Sequence, residues 1–238
     1  MAQIGLELGP TRLHDWIVRC GFGRPTGLGL PGEDAGIVLP RSRWTALGSC
    51  MSVPMGHEIA VTPIQMAAAH AAIANRGLWQ PPRLVRRIWR LDAETGREID
   101  LPLPTAPETR RIYAAEDAVA IQAAMAMTMT EGTGKRVQLD GWSSAGKTGT
   151  TEKLVNGQYA SDRHIGSFVC WAPADPDRTA ELLCLVVIDD PRKAGTFGAE
   201  TAAPVVQRVL TAGLELLRVP RREMAEPVAV GERRRGGR

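Results

Sequence analysis

The chain has 238 residues, 44% hydrophobic and 23% charged, the composition of an ordinary globular protein of one or two domains that can bury a sizeable core. Its formal charge of +3 comes from the end, where six Arg (221, 222, 233, 234, 235, 238) face three Glu (223, 226, 232) beyond Pro220; the rest is balanced, so no nucleic-acid face is indicated. The four cysteines form no C-x-x-C pair and the four histidines no H-x-x-x-H, so no metal or other cofactor is called for, and Cys170 and Cys184, inside apolar runs, read as buried thiols.

Ala2 to Gly9 carries Ile4 and Leu8 as though a helix had been entered midway, with no capping residue ahead of it. A second short helix starts at Pro10-Thr11, sets Leu13, Trp16, Ile17 and Cys20 on one face, and is ended by Gly21 and Gly23. No apolar stretch reaches the ~18 to 20 residues of a membrane span, and no basic segment precedes an apolar block; taken from Met1, the sequence reads as soluble and not exported. Gly21 to Trp44 is Gly-rich and Pro-punctuated, an extended loop region.

Thr62-Pro63-Ile64-Gln65 has a Thr N-cap, Pro at the first helical position and Gln three residues after the cap. It predicts a helix from Pro63 to about Asn75, Ala-rich and buried, stopped by Gly77. Arg83 to Leu91 reads as a strand and the polar, Pro-containing Asp92 to Thr109 as a surface excursion. A helix is expected over Ala115 to Glu131, closed by Gly132-Thr133-Gly134. Strands follow at Ser144 to Glu152, His164 to Trp171 and Leu182 to Ile188, and a last helix at Ala202 to Leu217. The link Ala172 to Glu181 is too short for a parallel crossover of a dozen or more residues, so the last two strands form an antiparallel hairpin.

The stretch Gly141 to Thr151 fits two chemistries. From Gly141 to Thr148 it spells the G-x-x-x-x-G-K-T of a nucleotide-binding P-loop, and Leu182 to Asp190 resembles a strand ending in a magnesium-holding acidic pair. A P-loop needs a helix immediately after Lys147-Thr148 and a parallel sheet, and neither is expected here. In the other frame, Lys147-Thr148-Gly149-Thr150 on a strand places a cation and a hydroxyl beside a glycine, where another backbone can lie close as an added strand.

Around that strand, Gly21-Phe22-Gly23-Arg24-Pro25-Thr26-Gly27, Leu30-Pro31-Gly32-Glu33, Val61-Thr62-Pro63-Ile64-Gln65-Met66-Ala67, Ala145-Gly146-Lys147-Thr148-Gly149-Thr150 and Ala202-Ala203-Pro204-Val205 occur in order. Together they resemble the C-terminal part of the transpeptidase domain of class B penicillin-binding proteins, over residues 1–217, with 218–238 a basic disordered tail. The resemblance implies an α+β fold, an antiparallel sheet sandwiched by helices, incomplete at the N-terminus. It implies a peptidoglycan D,D-transpeptidase that takes the D-Ala-D-Ala end of a stem peptide or a β-lactam, serves the division or elongation machinery, and is anchored at the inner membrane facing outward. By the same resemblance Lys147 lies beside the nucleophilic serine, Thr148 hydrogen-bonds the substrate's terminal carboxylate, Gly149 leaves room for its backbone, and the Thr150 backbone N–H is an oxyanion-hole donor.

The family's nucleophile sits in a Ser-x-x-Lys motif at a helix N-terminus, bridged by a Ser-x-Asn motif; neither occurs here in a usable place. By the resemblance the Ser-x-Asn lies just before Met1, so the chain is expected to lack the serine and to be inactive alone. Where the family commonly has Ser-x-Gly-x-Gly, this chain has Pro54-Met55-Gly56-His57-Glu58, with His57 and Glu58 read as surface residues. Two other classes stay open on the sequence: a non-catalytic scaffold or sensor with the same fold, and the P-loop NTPase.

Overall fold

The computed structural model describes residues 1–192 and 195–222, so all of the predicted tail beyond 222 lies outside the described residues. Helix α1 (Ala2–Arg19) holds both predicted N-terminal helices, joined across a kink where Gly9 adopts φ 72° and ψ 168° ahead of Pro10. The Gly-rich region contributes only strand β1 (Ile37–Val38) and a 3-10 turn at Arg41–Arg43. Then come α2 (Gly48–Ser52), β2 (Ile59–Ala60) paired with β1, and α3 (Pro63–Ala74). The capping box at α3 is formed as read: Thr62 Oγ1 accepts from Gln65 N (3.3 Å) and Gln65 Oε1 from Thr62 N (2.9 Å).

The middle of the chain departs from the reading. Of Arg83 to Leu91 only β4 (Ile88–Leu91) is a strand; β3 (Leu78–Trp79) precedes it. The predicted surface excursion contains one strand, β5 (Glu98–Leu101), and a second, β6 (Arg110–Arg111), follows directly after the excursion. β4 pairs with β5 and β3 with β6, both antiparallel. The β4–β5 turn is closed by Asp92, whose carboxylate accepts from Glu94 N, Thr95 N and Thr95 Oγ1. Arg87, just ahead of β4, forms ion pairs with Glu98 and Asp100 of β5.

Helix α4 (Ala115–Thr130) leads to the principal sheet, three antiparallel strands in the order β7 (Ala145–Val155), β8 (Gln158–Ala172), β9 (Leu182–Asp189). The predicted hairpin of the last two is present. The first two strands run past their predicted ends into a second hairpin, turned by Asn156 and Gly157 at φ 52° and 81°. Short helix α5 (Gly198–Thr201) and α6 (Ala203–Leu216) complete the described chain.

Alternation along β8 gives each face of the sheet its own layer. Phe168, Cys170 and Ala172 face Val206, Leu210 and Leu214 of α6. Trp171, with Ala145, faces Ala74 and Ile73 of α3 and Met125 of α4. The sheet is therefore helix-covered on both faces, as the resemblance implies. The segment after α4 wraps from one layer to the other: Val137, Leu139 and Trp142 join the α6 side and pass the outer edge of β7.

Candidate active site

Lys147, Thr148, Gly149 and Thr150 occupy β7, opposite Val169, Phe168, Ser167 and Gly166 of β8. β7 is the first strand of the sheet's order, so its other edge has no strand partner among the described residues. The chain after Lys147 is a strand and its sheet is antiparallel, which removes the structural basis of the P-loop frame.

Lys147 leaves β7 on the α3/α4 face and is exposed; its Nζ donates to the carbonyl oxygen of Thr148 at 2.7 Å. That carbonyl is thus open to the free edge, and residues two apart in a strand turn their main-chain groups to the same edge. The N–H and C=O of Thr150 consequently share it. Thr148 and Thr150 direct their side chains to the opposite face from Lys147.

On that face lies a cleft of about 260 Å³ bounded by the 132–136 segment, Thr148, Thr150 and the 197–200 turn. Thr133 is a residue that sequence reasoning missed: in the sequence it is only the middle of a Gly-Thr-Gly helix stop, but its hydroxyl lies 2.8 Å from that of Thr148. Across the cleft Thr150 Oγ1 accepts from Gly198 N at 3.2 Å. Gly198 rests directly on the sheet, for a Cβ there would come within 2.1 Å of the Ser167 carbonyl oxygen and 2.7 Å of that of Gly149. Around Gly149 itself the crowding comes from inside the sheet, since a Cβ would meet Ser167 Oγ at 2.6 Å.

The chain does contain one literal Ser-x-x-Lys spelling, Ser144-Ala145-Gly146-Lys147. It runs onto a strand, where residues three apart point to opposite faces, so serine and lysine cannot meet as a catalytic pair. Ser144 instead bonds the thiol of Cys170, whose pKa burial pushes up to about 12. At the far end of β7, His57 Nδ1 lies 2.8 Å from the Tyr159 hydroxyl on the β7–β8 hairpin. Glu58 is held by the hydroxyls of Ser49 and Ser52. The carboxylate of Glu33 accepts from Thr26 N and Leu28 N and from the Thr26 hydroxyl, and the last contact leads in lowering its pKa.

The model of the penicillin binding protein transpeptidase domain matches residues 1–211. The chain belongs to this family. Stage V sporulation protein D of Bacillus subtilis is 33% identical over 225 residues, covering 94% of this chain and 34% of that protein. A probable peptidoglycan D,D-transpeptidase, PbpC of Pseudomonas aeruginosa, is 29% identical over 239 residues, 100% of this chain and 39% of that one. Penicillin binding protein 3 from Mycobacterium tuberculosis, complexed with ampicillin, superposes with a TM-score of 0.80 at 28% identity, covering 95% of this chain and 50% of that chain. This member of the penicillin-binding transpeptidase family therefore spans little more than a third of those curated relatives and half of that solved chain. Among the described residues no helix is long and apolar enough to cross a membrane.

Proposed function

We propose that this chain is the substrate-strand portion of a class B peptidoglycan D,D-transpeptidase. The D-Ala-D-Ala end of a stem peptide, or a β-lactam that imitates it, adds to the free edge of β7. Thr148 binds the terminal carboxylate, and the N–H of Thr150 is one oxyanion donor, a contact of a kind whose removal elsewhere costs about 2.7 to 4 kcal/mol. The full reaction is an acyl transfer: serine attacks the penultimate D-Ala carbonyl, D-Ala leaves, and the acyl group passes to an amine of a neighbouring stem. The serine belongs to sequence this chain does not carry, so the chain alone does not turn over. The whole protein is anchored at the inner membrane, faces outward, and works with the division or elongation machinery.

The observation that supports this most is the free edge of β7, with Thr148 facing a cleft and the main chain of Thr150 facing the same edge. The test is acylation by a labelled penicillin of the gene product that includes the in-frame sequence upstream of Met1, beside the chain from Met1. Labelling of the longer product alone is expected. Absence of labelling in both would favour the scaffold reading, and ATP binding that depends on Lys147 would overturn the assignment.

A further inference from the structure

Thr148 and Lys147 leave β7 on opposite faces, and Lys147 Nζ is already engaged by a carbonyl of its own strand. A carboxylate seated against the Thr148 hydroxyl therefore needs its positive partner from elsewhere. The cleft on the Thr148 face supplies two candidates. Lys135 and Arg136, on the segment that crosses the β7 edge, both line it, both are exposed, and neither has an acidic partner among the described residues. The one carboxylate in the lining, Glu200, belongs to the opposite wall, where α5 begins. Two unpaired cations beside three threonine hydroxyls, Thr133, Thr148 and Thr150, form a cleft matched to an anion.

We infer that Lys135 and Arg136 are specificity-determining residues: they supply the charge that makes this site select a peptide ending in a free carboxylate over one ending in an amide. Thr148 then fixes the position of the carboxylate, the 135–136 pair its charge, and Lys147 acts on the other face. The inference rests on the proposed function, because it takes β7 as the peptide-binding edge.

The experiment compares diacetyl-L-Lys-D-Ala-D-Ala with its C-terminal amide as competitors of labelled penicillin, on the longest in-frame product of the gene. For the unaltered protein a preference for the acid of about ten-fold or more is expected, the scale of one charge-assisted contact. That preference should shrink as salt rises, since the cations are exposed. Lys135→Gln with Arg136→Gln should reduce it to less than about three-fold while leaving affinity for the amide unchanged, and Lys135→Gln with Arg136→Lys should keep part of it. Far-ultraviolet circular dichroism matching the unaltered protein shows that the variant is folded. A folded double variant that keeps the full acid preference overturns the inference and leaves the function standing. An unaltered protein that takes up no penicillin and no peptide overturns both.

Discussion

Thr148 and Thr150 leave β7 on one face, but their hydroxyls meet different partners: that of Thr148 reaches Thr133, while that of Thr150 accepts the N–H of buried Gly198. Thr150→Val keeps shape and backbone and orphans that N–H, so it should lower unfolding free energy by about 1 kcal/mol, read from urea denaturation. Thr148→Val removes a hydroxyl from a solvent-facing pair and should leave stability within about 0.5 kcal/mol while weakening competition by the peptide acid. His70 adds a pH dependence. It packs beside Trp171, ring centroids 6.4 Å apart, its Nδ1 lies 2.9 Å from the Met66 carbonyl, and desolvation lowers its pKa. Below the ordinary histidine value of about 6.5 the unfolded chain takes a proton that the folded chain resists, so stability should fall as pH drops from about 6.5 towards 5. His70→Phe should flatten that decline; an unchanged slope would place its origin elsewhere. The sequence revealed Lys147 to Thr150 because they are contiguous and chemically distinctive. It hid Thr133, whose role arises only when the segment after α4 is laid across the edge of β7.

The same division between local and distant contacts holds for whole elements. The start of α3 was legible because a capping box is closed by residues three apart. What Gln65 does beyond the cap was not: its Nε2 donates to the carbonyls of Arg24 and Ala35, both at 2.8 Å, and so pins the Gly-rich loop to the helix. Thr62→Ala should cost about 1 kcal/mol, the usual worth of a cap. Gln65→Ala orphans both loop carbonyls as well, and about 2 to 3 kcal/mol is expected, with faster proteolysis within Gly21 to Trp44 as the distinguishing readout. β5 stayed hidden for a related reason. Glu98 to Leu101 has a single β-branched residue, Ile99, in a short polar setting, and Arg87, outside the strands, meets its two acids only after the turn at Asp92 has closed. The long β7–β8 hairpin, by contrast, turns on a local signal, Asn156-Gly157, a recognised hairpin dipeptide with both residues at positive φ.

At the scale of the molecule, the sheet has two edges without a strand partner among the described residues, and they differ in chemistry. β7's edge carries polar residues and an exposed lysine, as suits the peptide-receiving role proposed for it. β9 is Leu-Leu-Cys-Leu-Val-Val-Ile-Asp, an almost wholly apolar strand, and Val187, third from its end, is 42% exposed. Nearby, Val205, Val209 and Leu216 on the outward side of α6 are 42%, 47% and 84% exposed. An open apolar strand is a template for pairing with another chain. Produced from Met1 to Arg238, the chain should therefore self-associate at about 10 to 100 μM, seen as a concentration-dependent shift in light scattering on a sizing column. Val187→Lys, which places a charge on that edge without touching β7, should return it towards monomer with helix content unchanged. If the unaltered chain elutes as a monomer across that range, the β9 edge is not the sticky surface its composition implies. If association persists in the lysine variant, the outward face of α6 is the next element to charge, at Val209.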